Sequence, residues 1–182
     1  METTIIDDYL EPEYFKLISN TVNAPFFPWH FNENVSDYGD SAIDRFGFSA
    51  MVFKEFKPVT KYEVISQLFH ALKWFIEKNE QFTRSRLFRM RADMVTNSGK
   101  RTVHSPHVDH NFPHWTSIFY LNETDGETIL FESEGSEKER MRIAPKPNRI
   151  LFFDGLITHT GMSPIHHQRR TILNSNFISE VQ

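Results

Sequence analysis

The chain has 182 residues, no cysteine, and 20 Lys and Arg against 24 Asp and Glu, for a formal net charge of -4. That length suits one domain, 1–182, able to bury a core without cross-links. Disulfides, zinc–thiolate sites, iron–sulfur clusters and thiol nucleophiles are excluded, the acidic balance argues against nucleic-acid binding, and no apolar run is long enough to span a bilayer.

Met1 to Leu10 carries Asp7 and Asp8 where a secretory leader would be basic and then apolar, so the expected location is cytoplasmic. Glu11-Pro12-Glu13 opens a helix, because proline fits the first helical position and the acids face the positive end of the dipole. Tyr14, Leu17, Ile18 and Val22 then share one face, and Pro25 stops the run. From Phe26 to about Gly47 the pattern is irregular or edge-like. Thr60-Lys61-Tyr62-Glu63 is a capping box, and Tyr62, Ile65, Leu68, Phe69, Leu72, Phe75 and Ile76 form a helical stripe wide enough to lie on a sheet.

The period then changes to two. Phe88, Met90, Ala92 and Met94 alternate with Arg89, Arg91 and Asp93, which is a strand with one apolar and one charged face. Short strands are expected at Trp115 to Leu121, Thr128 to Glu132, Arg140 to Ile143, Arg149 to Phe153 and Thr171 to Ile178, with turn chemistry between them. Helices first and strands after, with eighteen Phe for the interior, predict an α+β, mainly β fold: a jelly roll with the N-terminal and central helices packed outside.

The chemistry concentrates in His107-Val108-Asp109, His159 and Arg169. Residues at i and i+2 of an extended segment project to one side, so His107 and Asp109 can share an ion. Two imidazoles and a carboxylate suit a non-haem Fe(II) site with open positions, and a nearby guanidinium suits a dicarboxylate. The bare His-x-Asp pattern is weak, with about 0.4 chance matches expected in a chain of this composition. Each residue also has an ordinary reading, as a hydrogen-bonded histidine or a turn carboxylate. His104, His110 and His114 crowd the same region and offer other ligand subsets, and Arg170 competes with Arg169, since a one-residue slip exchanges the two faces of a strand.

The order of these motifs resembles the 2-oxoglutarate- and Fe(II)-dependent oxygenases, in particular the prolyl-4-hydroxylase-like group with its short phage and bacterial members. The resemblance runs through Ile5 to Leu10, Phe27-Pro28-Trp29, Tyr120-Leu121-Asn122, Asp125-Gly126-Glu127-Thr128, Ile143-Ala144-Pro145, Arg149 to Phe153, His159-Thr160-Gly161 and Arg169-Arg170-Thr171. It implies a double-stranded β-helix with Fe(II) held by His107, Asp109 and His159. It further implies that the far carboxylate of 2-oxoglutarate pairs with Arg169, assisted by Thr171, with Tyr120 as a candidate contact. The implied activity is that of a dioxygenase, coupling decarboxylation of 2-oxoglutarate to succinate with hydroxylation of a small-molecule or peptide substrate by dioxygen. Peptidyl proline is the family default, and ascorbate is an auxiliary reductant.

Two other classes fit the same residues: a cupin-like metal-binding protein without 2-oxoglutarate chemistry, and a non-catalytic jelly-roll binding module. The basic cluster of Arg84, Arg86, Arg89, Arg91, Lys100 and Arg101 against Asp93 reads first as a solvated face and second as a site for an acidic substrate or nucleic acid, while Arg89 and Arg91 read equally as a solvated edge or the lining of a substrate mouth.

Overall fold

The computed structural model describes residues 3–33, 35, 46–59, 63–79, 85–132, 136 and 138–179. In chain order the elements are β1 (Thr4–Ile6), α1 (Pro12–Val22), β2 (His30–Asn32), β3 (Gly47–Lys54), β4 (Lys57–Pro58), α2 (Glu63–Glu77) and β5 (Ser85–Thr96). Then follow β6 (Trp115–Tyr120), β7 (Thr128–Phe131), β8 (Glu139–Ile143), β9 (Ile150–Asp154), β10 (His159–Gly161) and β11 (Arg169–Ser179).

All pairings are antiparallel, in two sheets. The larger runs β1-β9-β6-β11-β5-β3-β2, with β4 beside β3; the smaller runs β10-β7-β8. Bridges Val103↔Met162 and His107↔His159 lay the segment after β5 along the free edge of β10. This is the mainly β, two-sheet architecture expected from the alternating pattern.

Each long strand divides its side chains between two cores, because successive residues point to opposite faces of a sheet. Phe119, Ile150, Phe152, Leu173 and Phe177 face the helices, together with Ile18 and Val22 of α1 and Phe69, Leu72 and Ile76 of α2. Ile118, Tyr120, Leu151, Phe153 and Ile172 face the small sheet, together with Leu130 and Ile143. Phe152 is fully buried, so Phe152→Ala would cost about 3–5 kcal/mol. A register shift opposite Asn176/Phe177 brings Leu87 back to the helix side, so β5 keeps its apolar face on the helices throughout.

Pro12 stands at the start of α1, and the helix ends where the Asn23 N–H donates to Ser19 O. Leu17, expected on the buried face, is 54% exposed, and the contact is carried by Ile18 and Val22. Thr60, Lys61 and Tyr62 of the expected capping box lie outside the described residues. The strands β1 and β3 were not legible. β1 is three residues long, and β3 buries both Val52 and Phe53 next to a register shift, which breaks the period of two.

The N-terminus is tied back through Asn148, whose φ of 64° is a left-handed value that asparagine tolerates. Its Nδ2 donates to Leu10 O at 2.8 Å and its Oδ1 accepts from Leu10 N at 2.9 Å. No helix among the described residues is long and apolar enough to cross a membrane.

Candidate metal and cosubstrate site

His107 and His159 are locked to each other by their own backbones. His107 N donates to His159 O at 3.0 Å, and His159 N donates to His107 O at 2.9 Å. Asp109 follows two residues on. One ligand atom from each of His107, Asp109 and His159 lies within 4.8 Å of the others. Among the described residues this is the one such group of His, Asp and Glu, so His104, His110 and His114 do not complete an alternative set.

The tautomers follow from the hydrogen bonds. Nδ1 of His107 is 3.0 Å from Ser105 O, and Nδ1 of His159 is 3.2 Å from Ile157 O. A carbonyl only accepts, so Nδ1 carries the proton in both rings and Nε2 keeps its lone pair. Burial pushes His159 down to about 4, against the pull of Asp109, so this ring is neutral at physiological pH.

Burial opposes the charged form of Asp109, but His159, Arg89 and the Asn176 amide outweigh it and hold the carboxyl well below the usual carboxylate range. Two imidazoles and one carboxylate, with no thiolate, are a donor set that fits Fe(II). The carbonyl partners on Nδ1 are the outer contacts that orient metal-bound histidines.

A cavity opens beside these ligands. Its walls include His107, His159, Gly161, Arg170, Asn174, Arg91 and Asp93. Arg170 is 6% exposed, and burial lowers its pKa. Its Nε donates to Gly126 O at 2.9 Å and its Nη2 to Thr128 Oγ1 at 2.8 Å, while its guanidinium lies 5.7 Å from the Tyr120 ring centre. Among the described residues no carboxylate pairs with it. A buried cation held by neutral acceptors is a costly arrangement unless an anion arrives to complete it.

The structure therefore brings Arg170 to the cavity where the sequence reading had placed Arg169 and Thr171. Thr171 has the opposite parity, and its Oγ1 donates to Asn23 Oδ1 at 3.1 Å on the helix side. Arg169 shares that parity and is not among the cavity residues. Tyr120 is fully buried, with its hydroxyl 2.7 Å from Thr128 Oγ1, so it meets the Arg170 guanidinium and not the cavity. Two glycines make room for Arg170. A Cβ on Gly161 would lie 3.1 Å from Nη1, and one on Gly126 would lie 2.8 Å from Cδ.

The charged face of β5 turns inward. Arg89 Nη1 is 3.4 Å from Asp109 Oδ1, and Arg91 and Asp93 pair at 2.6 Å in the cavity wall. The expected solvated cluster is thus divided. Arg89 and Arg91 belong to the site, Arg86 packs on Phe56, Arg101 pairs with Asp125, and Arg84 lies outside the described residues. The other histidines are placed by packing or backbone contact. His104 lines the cavity and its carbonyl accepts from Thr160 Oγ1, His110 stacks on Phe112, and His114 donates from Nδ1 to Phe112 O.

Comparison with known proteins agrees with this geometry. Residues 93–178 match the family described as the 2OG-Fe(II) oxygenase superfamily, a span that contains all three ligand candidates and Arg170. The matched stretch is similar to that family. Its members and the structural neighbours below are 2-oxoglutarate- and Fe(II)-dependent oxygenases. A 2OG-Fe(II) oxygenase-family oxidoreductase from Burkholderia pseudomallei is similar with a TM-score of 0.72 at 12% identity, over 96% of this chain and 84% of that one.

A prolyl-4-hydroxylase from Pseudomonas putida is similar with a TM-score of 0.64 at 14% identity, over 98% and 92%. The non-haem α-ketoglutarate-dependent epimerase SnoN from nogalamycin biosynthesis is similar with a TM-score of 0.68 at 11% identity, over 97% and 78%. At these identities the likeness shows the jelly-roll fold alone. No curated protein matches the chain.

Proposed function

We propose that this chain is an oxygenase that, acting as one domain over residues 1–182, holds Fe(II) through His107, Asp109 and His159. We place the far carboxylate of 2-oxoglutarate on Arg170, and the reaction is hydroxylation of a small-molecule or peptide substrate. The observation that carries the reading is a cavity walled by the His107 and His159 imidazoles and by a buried guanidinium with no carboxylate ion pair among the described residues, while Asp109 lies within ligand distance of both imidazoles. Iron with bound 2-oxoglutarate supplies the redox step, in which dioxygen, 2-oxoglutarate and a substrate C–H become succinate, carbon dioxide and an alcohol.

The chain itself binds, orients and excludes. Nδ1–H donation to Ser105 O and Ile157 O keeps both Nε2 lone pairs aimed at one point. The planar fork of Arg170 selects a carboxylate over a neutral group, and its bonds to Gly126 O and Thr128 Oγ1 fix the depth at which that carboxylate stops. Ile118, Ile172 and Val95 give the cavity an apolar wall that keeps water from the reacting centre. The relatives in the fold include a prolyl-4-hydroxylase and an epimerase, so the substrate is proposed only as a small molecule or peptide, with peptidyl proline as the first to assay. A cytoplasmic location and ascorbate as auxiliary reductant complete the proposal.

The test is succinate formation from 2-oxoglutarate, with Fe(II) and ascorbate, in the absence of any substrate. Turnover lost in Asp109→Ala is the expected result. A folded, iron-loaded protein that turns over no 2-oxoglutarate, alone or with peptide and small-molecule panels, would overturn it.

A further inference from the structure

Asp109 sits in a cradle of three donors that the metal reading does not require. Asn176 Nδ2 donates to Oδ2 at 2.9 Å. Asn174 Nδ2 reaches Oδ2 at 3.1 Å and Oδ1 at 3.3 Å. Arg89 Nη1 approaches Oδ1 at 3.4 Å and also meets Asn176 Oδ1 at 3.3 Å. The two asparagines are alternate residues of β11, and Asn176 pairs in register with Arg89 of β5, so the cradle is built on two hydrogen-bonded strands and not on a loop.

Packing alone does not account for these amides. Asn174 is 5% exposed and Asn176 fully buried, in a strand that also buries Ile172, Leu173 and Phe177. The carboxylate can only accept, which fixes the orientation of both amides. Turning its nitrogen to Asp109 leaves Asn174 Oδ1 buried without a hydrogen-bond partner. An apolar residue would avoid that penalty. The amide is kept at a loss to stability, and what it gains is the position of one carboxylate.

We propose that Asn174, Asn176 and Arg89 are positioning residues for Asp109. They fix its rotation about the Cβ–Cγ bond and occupy part of both oxygens. The carboxylate is thereby limited to a single-oxygen contact with the ion. This inference rests on His107, Asp109 and His159 being the metal ligands.

The experiment is Mn(II) binding by calorimetry, with the visible spectrum of the Co(II)-loaded protein as a second readout. Wild type is compared with Asp109→Ala, Asn174→Ala/Asn176→Ala, Asn174→Leu/Asn176→Leu and Arg89→Gln. The near-isosteric leucine pair and the single change Arg89→Gln cover the case in which the alanine pair fails to fold. Thermal melting without metal reports on folding. Wild type binds one Mn(II) and Asp109→Ala does not. The folded asparagine variants bind about 10- to 100-fold more weakly, with an altered Co(II) spectrum, and Arg89→Gln is intermediate. Folded variants within twofold of wild type, with the Co(II) spectrum unchanged, would overturn the cradle while leaving the metal site standing. Wild type that binds no Mn(II) would overturn both.

Discussion

Replacing Arg170 tests the assignment of the cosubstrate most sharply, because its neighbour Arg169 is a built-in control. Arg170 is buried, its Nε and Nη2 are spent on Gly126 O and Thr128 Oγ1, and Gly161 packs against Nη1. A carboxylate delivered to that guanidinium is desolvated on both sides. Removing one partner of such a pair costs about 3–5 kcal/mol. At 1.4 kcal/mol per decade, Arg170→Ala is expected to weaken 2-oxoglutarate binding by roughly two to three and a half orders of magnitude. Arg170→Lys keeps the charge but loses the fork, and falls between. Arg169→Ala leaves affinity within about twofold, since surface changes away from a site are small. The assay is calorimetric titration of 2-oxoglutarate into Mn(II)-loaded protein, with melting curves to confirm folding. A large loss in Arg169→Ala with Arg170→Ala unaffected would refute the strand-parity argument.

Other outcomes follow from particular contacts. Gly161→Ala crowds Nη1 from 3.1 Å and should raise the 2-oxoglutarate KM several-fold with little change in melting temperature, whereas Gly126→Ala meets the Met162 carbonyl and should lower stability by about 1–3 kcal/mol in urea titrations. Gly155→Ala drives a Cβ into the His114 ring and should destabilise to a similar degree, about 1–3 kcal/mol, even in metal-free protein. Burial works against charge on Asp125, but hydrogen bonds from His167 and the Ile165 and His166 amides, with Arg101, lower it to about 2. Since the folded value lies below the ordinary 3.8, its stabilisation is complete above that pH and is lost as pH falls towards 2. The melting temperatures of wild type and Asp125→Asn should therefore differ near pH 6 and converge near pH 2.

What the sequence made legible follows from where periodicity survives burial. The candidate triad could be picked out because His107 and Asp109 lie two apart beside a strand, and His159 opens β10 after a turn. The guanidinium was not, because Thr171-Ile172-Leu173 is buried on both faces and has no apolar–polar alternation to fix its parity. The signal lay further along. Asn174 and Asn176 are polar residues two apart in a buried strand, and counting back from them lands on Arg170. The charged face of β5 was seen but assigned first to solvent, since a row of Arg and Asp reads the same whether it meets water or a carboxylate.

The reciprocal amide–carbonyl pair between His107 and His159 has a consequence for how the protein would take up the proposed metal. The imidazoles are set by main-chain geometry, so the ring positions exist as soon as β10 docks and need no ion to assemble them. Stripping the ion with a chelator should leave a folded, reloadable protein. Which divalent metal is taken up then depends on supply more than on shape, and catalytic identity becomes a property of the medium in which the chain is refilled.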